Sequence, residues 1–211
     1  MTDPISRCVA HGFVEGTTCP HCDRSPTSVL RGDRRQQLSK FLSGALRHFP
    51  EEAGLKLDEN GWVAWSAVAQ TITDRYAWAT PTHLEAIVVT DLKGRFEQSP
   101  DNCLRAAYGH SVEVSLEPTD AAVPDALYHG TAPTNLQSIR ADGLVSMDRK
   151  QVHRAGSLET ATAVGRRHAS EPVILTVDAA RMLADGYDIQ KRGVETYTTE
   201  WVPPRYLEAT G

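Results

Sequence analysis

Leu38, Phe41, Leu42, Ala45 and Leu46 recur at the spacing of one helix face. They predict a helix that starts near Asp33, which can cap it, and runs through His48 until Pro50 ends it. Arg47 and His48 would then stand in the last turn, where backbone carbonyls favour cations. Gly54 to Val63 predicts two short strands around an Asn60-Gly61 turn. Trp65 to Ile72 is again apolar at helical spacing, and Thr82 to Thr90 predicts a further helix with Thr80 or Thr82 as cap. Arg95-Phe96-Glu97 leads towards strand, and Val112 to Leu116 alternates like one.

Helix, hairpin, helix, helix and strand resembles a winged-helix arrangement, a layout used for nucleic acid and for protein contacts. Pro118 to Pro124, with Asp, Ala and Thr between, reads as a boundary between two lobes. Beyond it the strand Ala126-Leu127-Tyr128 leads into His129-Gly130-Thr131, and a helix from Thr134 to Ala141 ends at Gly143, a good left-handed cap. Val152-His153-Arg154 opens another segment, and Ser157 to Arg167 reads as a capped helix. Val173 to Val177 is a strand, Ala179 to Asp185 a short helix, and Val194 to Tyr197 with Trp201-Val202 closes the sheet. Short strands separated by small helices predict α+β. Gly-x-Gly-x-x-Gly and Gly-x4-Gly-Lys-Ser/Thr are both absent, so Rossmann or P-loop binding is unsupported.

Composition narrows the class only slightly. With 211 residues, 40% hydrophobic and 23% charged, the chain suits one large domain or two small ones sharing a groove. No segment approaches the roughly 18 apolar residues of a membrane span, and Met1 to Arg7 lacks a signal peptide's apolar core. A cytoplasmic protein with no membrane partner is expected. The formal charge of −5 argues against a generally basic nucleic-acid binder. Local arginines can still serve: Arg31, Arg34 and Arg35 precede Lys40 and Arg47, while Arg140, Arg149, Arg154, Arg166 and Arg167 gather later. Such arginines are equally compatible with solvated faces.

The cysteines change the picture more. Cys8-x2-His11 and Cys19-x2-Cys22 bring three thiolates and one imidazole together, a soft tetrahedral set suited to structural zinc. His21 could replace His11, although its neighbours Pro20 and Cys22 disfavour an inward direction. Four protein ligands would leave no position for a catalytic water. Asp23 to Asp33 reads as a linker, and the lone Cys103 as a small apolar residue. The expected division is a zinc knuckle with linker over 1–32, a winged-helix-like lobe over 33–118, and a third region over 119–211.

Candidate anion-binding groups fall in three places. Arg47-His48 is one, and Arg105 with the Gly109-His110-Ser111 turn offers phosphate-compatible donors near a glycine. Leu127 to His153 suits a pocket for an anionic, nucleotide-like ligand, with His129, Gly130 and Thr131 at the end of an apolar run and Arg149 and His153 in a later turn.

In this order the motifs resemble the NAD-dependent RNA 2′-phosphotransferases. The resemblance runs from about Arg34 to the C-terminus. It rests on Leu38 to Ser43, Leu46-Arg47-His48, Asp58 to Val63, Arg105-Ala106, Gly109-His110-Ser111, Tyr128 to Thr131, Gly143-Leu144, Met147, Arg149, Val152-His153, Glu159 to Ala161 and Val164-Gly165. The resemblance implies a winged-helix lobe that engages RNA and an ADP-ribosyltransferase-like lobe that holds NAD. In that family the RNA 2′-phosphate attacks the nicotinamide-ribose carbon and expels nicotinamide. The ribose 2″-hydroxyl then attacks phosphorus, releasing a 2′-hydroxyl RNA, typically tRNA, and ADP-ribose 1″,2″-cyclic phosphate.

By similarity, Arg47, Arg105 and Arg149 would grip the 2′-phosphate beside His48, a phosphate donor or proton-transfer group. His129, Gly130 and Thr131 would form the NAD-site motif, with Ser138, Ile139, Gly143 and Ser157 lining the same pocket. A monomer acting on tRNA with NAD as co-substrate is the expectation. Ala107-Tyr108 and Lys191-Arg192-Gly193-Val194 depart from the family pattern, and the zinc knuckle is an addition similar to archaeal members. Two other readings are an ADP-ribosyltransferase acting on terminal phosphates of RNA or DNA and a non-catalytic nucleic-acid-binding module.

Overall fold

Cys8 and Gly12 are placed by a tight antiparallel pair, β1 (Ile5–Cys8) and β2 (Gly12–Glu15), and β3 (Thr27–Leu30) pairs with the other edge of β1. This computed structural model describes residues 2–146 and 151–209. By its internal contacts the chain divides into two units, Met1–Leu116 and Glu117–Gly211.

The first unit continues through α1 (Gly32–Ala45), β4 (Val63–Ala64), α2 (Trp65–Arg75), α3 (Pro81–Val89), β5 (Phe96–Gln98) and β6 (Cys103–Ala106). The three later strands form one sheet in the order β4-β6-β5. Leu38, Leu42, Val68, Ile72, Leu84, Ile87 and Leu104 build one core, and Ile5 and Leu30 of the N-terminal sheet belong to the same cluster. The segment expected to be a linker therefore holds a strand whose last residue is core.

Several local expectations are corrected. Arg31, with no side-chain cap bond, precedes α1, so Asp33 lies in the first turn rather than at the cap. Arg47 and His48 follow the helix instead of ending it, and their amides bond the Gly44 carbonyl. Residues 54–62 form no hairpin: Asp58 Oδ1 accepts from the Asn60 and Trp62 amides, closing a turn before β4. This side-chain-to-backbone capture competes with strand pairing. Val112 to Leu116 is not a strand either; its Ser115 amide bonds the Glu59 carbonyl without any ladder.

The second unit contains β7 (Ala126–Thr131), a 3-10 turn (Pro133–Asn135), α4 (Leu136–Asp142), β8 (Leu144–Val145), β9 (Val152–Ala155), α5 (Leu158–Gly165), β10 (Val173–Asp178), α6 (Ala179–Ala184), β11 (Gln190–Lys191), β12 (Thr196–Thr199), β13 (Trp201–Val202), a second 3-10 turn (Pro204–Tyr206) and β14 (Leu207–Ala209). Six of these strands make a sheet in the order β11-β12-β9-β7-β10-β14, antiparallel throughout. Trp201-Val202 does not close that sheet but pairs with β8 in a separate ribbon.

Alternation along the strands sends Leu127, Val152, Val177 and Tyr197 to one face, where Ile139 of α4 and Met182 of α6 complete the core. Gly130 faces the opposite side, towards α5: a Cβ there would stand 2.2 Å from the Ala161 carbonyl oxygen. Helices interleaved with sheets that are antiparallel throughout give a mixed fold compatible with the expected α+β class.

Candidate active site

In the first unit the turn after α1 and the end of β6 bring three of the expected phosphate-binding residues together. Arg105 is 8% exposed and directly opposes Glu97 across the β5–β6 pair. Its Nε donates to Glu97 Oε2 at 2.7 Å, its Nη1 donates to the Asn60 carbonyl at 3.2 Å, and its guanidinium lies 4.2 Å from the Trp62 ring centroid. Arg47 is buried as well. Its guanidinium sits 4.7 Å from the Tyr108 ring, and Nη2 donates to the Arg95 carbonyl at 3.4 Å. A Cβ on Gly109 would contact that side chain at 3.6 Å, at a φ of +85° that disfavours other residues.

His48 is exposed, and its Nδ1 shares a 3.0 Å hydrogen bond with Ser111 Oγ whose donor depends on the tautomer. The Ser111 amide in turn donates to the Arg47 carbonyl at 3.0 Å, so the Gly109–Ser111 turn is tied to the Arg47-His48 step. His110 lies inside this group, 4% exposed, with Nε2 unpartnered. Burial, then the charges of Arg47, Arg105 and His48, push it down to about 4. The imidazole is thus neutral beside these cations and adds no further charge to the cluster. Two arginine forks and a histidine held this closely can stabilise charge on non-bridging phosphate oxygens.

In the second unit His129 lies on β7, half-buried, with Nδ1 3.3 Å from the His153 carbonyl oxygen. Burial lowers its pKa, and Arg154 and His168 add to that effect against the His153 bond. The neutral ring donates from Nδ1 to the carbonyl, leaving Nε2 free to accept from a hydroxyl. Thr131 is buried and its Oγ1 accepts from Asn135 Nδ2 at 3.2 Å.

The remaining expected pocket residues have structural duties here. Gly130 admits α5, and Gly143, at φ +81°, would drive a Cβ to 2.1 Å from the Val202 carbonyl oxygen. Ile139 is in the core. Ser138 Oγ donates to the Asn135 carbonyl. Ser157 caps α5 by accepting from the Thr160 amide, and donates to Glu195 Oε2 at 2.7 Å. Arg149 lies outside the described residues.

Cys8, His11, Cys19 and Cys22 form a further cluster, their ligand atoms all within 4.8 Å of one another. His11 Nδ1 is 3.6 Å from Cys8 Sγ and 3.4 Å from Cys19 Sγ, and Cys8 Sγ is 3.7 Å from Cys22 Sγ. The His21 ring packs against His11 at 5.1 Å. The Ala10 amide, with further help from His11, lowers the Cys8 thiol to about 6. Cys22 is raised despite the Arg24 backbone bond, because desolvation and the neighbouring thiols Cys19 and Cys8 oppose it. A cation at the centre would remove that opposition.

The supports of the arginines, namely Glu97, Asn60, Trp62 and the Tyr108 ring, are not visible as a site in the sequence. The Glu97–Arg105 register that joins them belongs to the sheet.

The family model described as "RNA 2'-phosphotransferase, Tpt1 / KptA family" matches residues 33–200. The chain belongs to this family. Among relatives of the RNA 2′-phosphotransferase family, "Probable RNA 2'-phosphotransferase" of Haloarcula marismortui is 50% identical, covering 98% of each chain. "Probable RNA 2'-phosphotransferase 2" of Archaeoglobus fulgidus is 42% identical over 85% of this chain and 82% of its own. A Methanosarcina acetivorans protein, also named "Probable RNA 2'-phosphotransferase", is 37% identical over 96% and 97%. The family match begins after the Cys8–Cys22 cluster, whereas the Haloarcula alignment takes in nearly the whole chain.

Proposed function

We propose that the protein removes an internal 2′-phosphate from RNA, of the tRNA splice-junction type, by transferring it to NAD. The products are a 2′-hydroxyl RNA, nicotinamide and ADP-ribose 1″,2″-cyclic phosphate. The observation that carries this reading is the convergence of Arg47, His48 and Arg105 around the neutral, buried His110 in a chain of this family. Bound NAD supplies the electrophilic ribose carbon and the 2″-hydroxyl nucleophile.

The chain's own residues bind and orient. Arg47 and Arg105 grip the 2′-phosphate as forks, and Arg149 is proposed as a third. His48, exposed and linked to Ser111, donates to the phosphate or moves a proton in the second step. His129 Nε2 would accept from a ribose hydroxyl of bound NAD, and Gly130 and Thr131 would help hold its nicotinamide end. Ser138, Ile139, Gly143 and Ser157 are proposed as the pocket's outer frame.

The order α1, β4, α2, α3, β5, β6 supports a winged-helix RNA lobe. The antiparallel sheet carrying His129 supports an ADP-ribosyltransferase-like lobe. Among the described residues no helix is long and apolar enough to cross a membrane. The protein is proposed to work as a cytoplasmic monomer.

Zinc is the proposed ion of the Cys8, His11, Cys19, Cys22 cluster. With Zn–S near 2.3 Å and Zn–N near 2.0–2.1 Å, a tetrahedron puts S and N about 3.6 Å apart and two sulfurs about 3.8 Å apart. The Cys8–His11, Cys19–His11 and Cys8–Cys22 separations, 3.6, 3.4 and 3.7 Å, are close to those values, and all four ligand atoms lie within 4.8 Å of one another. Freshly purified protein containing no zinc by metal analysis would remove this assignment.

The deciding experiment is incubation with NAD and an oligonucleotide bearing one 2′-phosphate. The proposal expects nicotinamide, the cyclic product and a 2′-hydroxyl oligonucleotide. ADP-ribosylated oligonucleotide as the end product would instead indicate a transferase that stops after one step, and absence of nicotinamide release defeats both.

A further inference from the structure

Arg154 is the one side chain of its kind among the described residues: a guanidinium 3% exposed whose Nε, Nη1 and Nη2 all lack a hydrogen-bond partner. It pairs in register with Tyr197 on β12, and the alternation of β9 puts it on the same face as Val152. That face is the apolar core of the second unit. Burying an arginine there without a carboxylate or a carbonyl is unfavourable, because the charge gives up water and receives nothing in return.

Its surroundings identify where the missing partner would come from. Tyr128 pairs with Ala155, so one step along the same two strands sets His129 beside Arg154, and Leu175 stands beyond His129 in the next strand. Arg154 also bears on the neighbouring ring, as one of the charges that keep His129 neutral. Burial lowers the guanidinium to about 9, which still leaves it cationic at neutral pH. His129 is half-buried while Arg154 is fully so, so a ligand that reaches His129 ends next to an unsatisfied five-donor cation.

We propose that Arg154 is an anion-binding subsite of the His129 pocket and that the group it takes is the diphosphate of the dinucleotide. This rests on the NAD reading, since the diphosphate is the anionic part of NAD. A guanidinium fork matches phosphate oxygens bidentately, and the buried setting strengthens the contact. The same desolvation that makes Arg154 unfavourable in the empty protein is relieved on binding.

Binding of ADP-ribose and of adenosine to the full-length protein, measured by calorimetry without turnover, tests this. In Arg154→Met the ADP-ribose Kd should weaken about 10- to 100-fold, as for loss of a charged hydrogen-bond group. The adenosine Kd should change less than about twofold. The ligand-free Tm should hold or rise, because an unpaired buried charge has been replaced by an unbranched apolar side chain. Arg154→Lys, which keeps the charge and loses the fork, should weaken ADP-ribose about tenfold and serves if the Met variant does not fold. ADP-ribose affinity within about twofold of wild type in either variant overturns the subsite while leaving the NAD reading intact. Wild-type protein that binds neither NAD nor ADP-ribose overturns both.

Discussion

Arg105 and Arg154 are both buried arginines on strands, and their environments are opposite. Arg105 is held by Glu97, the Asn60 carbonyl and the Trp62 ring before any ligand arrives. Arg154 has no partner at all among the described residues. The first arrangement fixes a fork in advance, so ordering it costs the bound state little. The second leaves the fork's satisfaction to whatever binds. In the proposed site a residue of the first kind would govern geometry at the phosphate, and one of the second kind would govern how strongly occupancy is coupled to stability.

The largest effect expected from this contrast is on turnover. Arg105→Ala should lower 2′-phosphate transfer by about 10²–10³-fold, as for loss of one charge-stabilising donor. Glu97 keeps enough exposure to be rehydrated, so thermal unfolding should stay within a few degrees of wild type. Near-normal turnover in that variant would dissolve the role given to the preorganised arginine.

Next in size is the pH response of the same cluster. His110 is neutral in the fold with its pKa pushed to about 4 against an ordinary 6.5. The unfolded chain therefore takes up this proton first on acidification. The stability that neutral His110 contributes is complete above about pH 6.5 and is lost as pH falls towards 4, by up to about 3 kcal/mol. Denaturant titrations from pH 7 to 4 should show this slope, and His110→Gln should flatten it; an unchanged slope would place the acid sensitivity elsewhere.

The smallest effect concerns the support alone. Glu97→Gln keeps the shape and a neutral acceptor but removes the charge that pins Arg105. The Glu97 side chain is 41% exposed, so stability should change by less than about 1 kcal/mol. KM for the phosphorylated RNA and kcat should shift together by about tenfold, since a misplaced fork affects both docking and reaction. A change in stability with intact kinetics would make the pair structural.

Helix positions could be read from the sequence because their apolar period is local: Leu38, Leu42 and Ala45 are buried on α1 as their spacing requires. Strands were less legible where pairing decides them. Thr27–Leu30 has the composition of a linker and becomes a strand because β1 offers it an edge. Val112 to Leu116 alternates well and stays irregular, with Ser115 bonded to Glu59 outside any ladder.

The candidate site divides the same way. Arg47, His48 and Arg105 stand out through motif and charge and Trp62 lies within the Asp58–Val63 motif, whereas the pairing of Glu97 with Arg105 and the stacking of Trp62 on it emerge only from the register of β5 on β6 and the turn before β4. Arg154 does leave a signal, a charged residue two positions from the core residue Val152 on one face of a strand. The sequence does not distinguish it from the other arginines gathered in that half of the chain.

Ile5 and Leu30 sit in the same core as α1, α2 and α3, Arg35 Nη1 donates to the Asp3 carbonyl, and a Cβ on Gly32 would meet the Thr2 carbonyl oxygen at 1.9 Å. The span matched by the family, which starts at residue 33, is therefore not a safe place to cut. A shortened protein beginning there would present a stripped apolar surface where the first sheet had lain, and would be prone to self-association. For this member the cysteine-bearing segment is a wall of the first unit's core, and any recombinant version meant for enzymology should retain it.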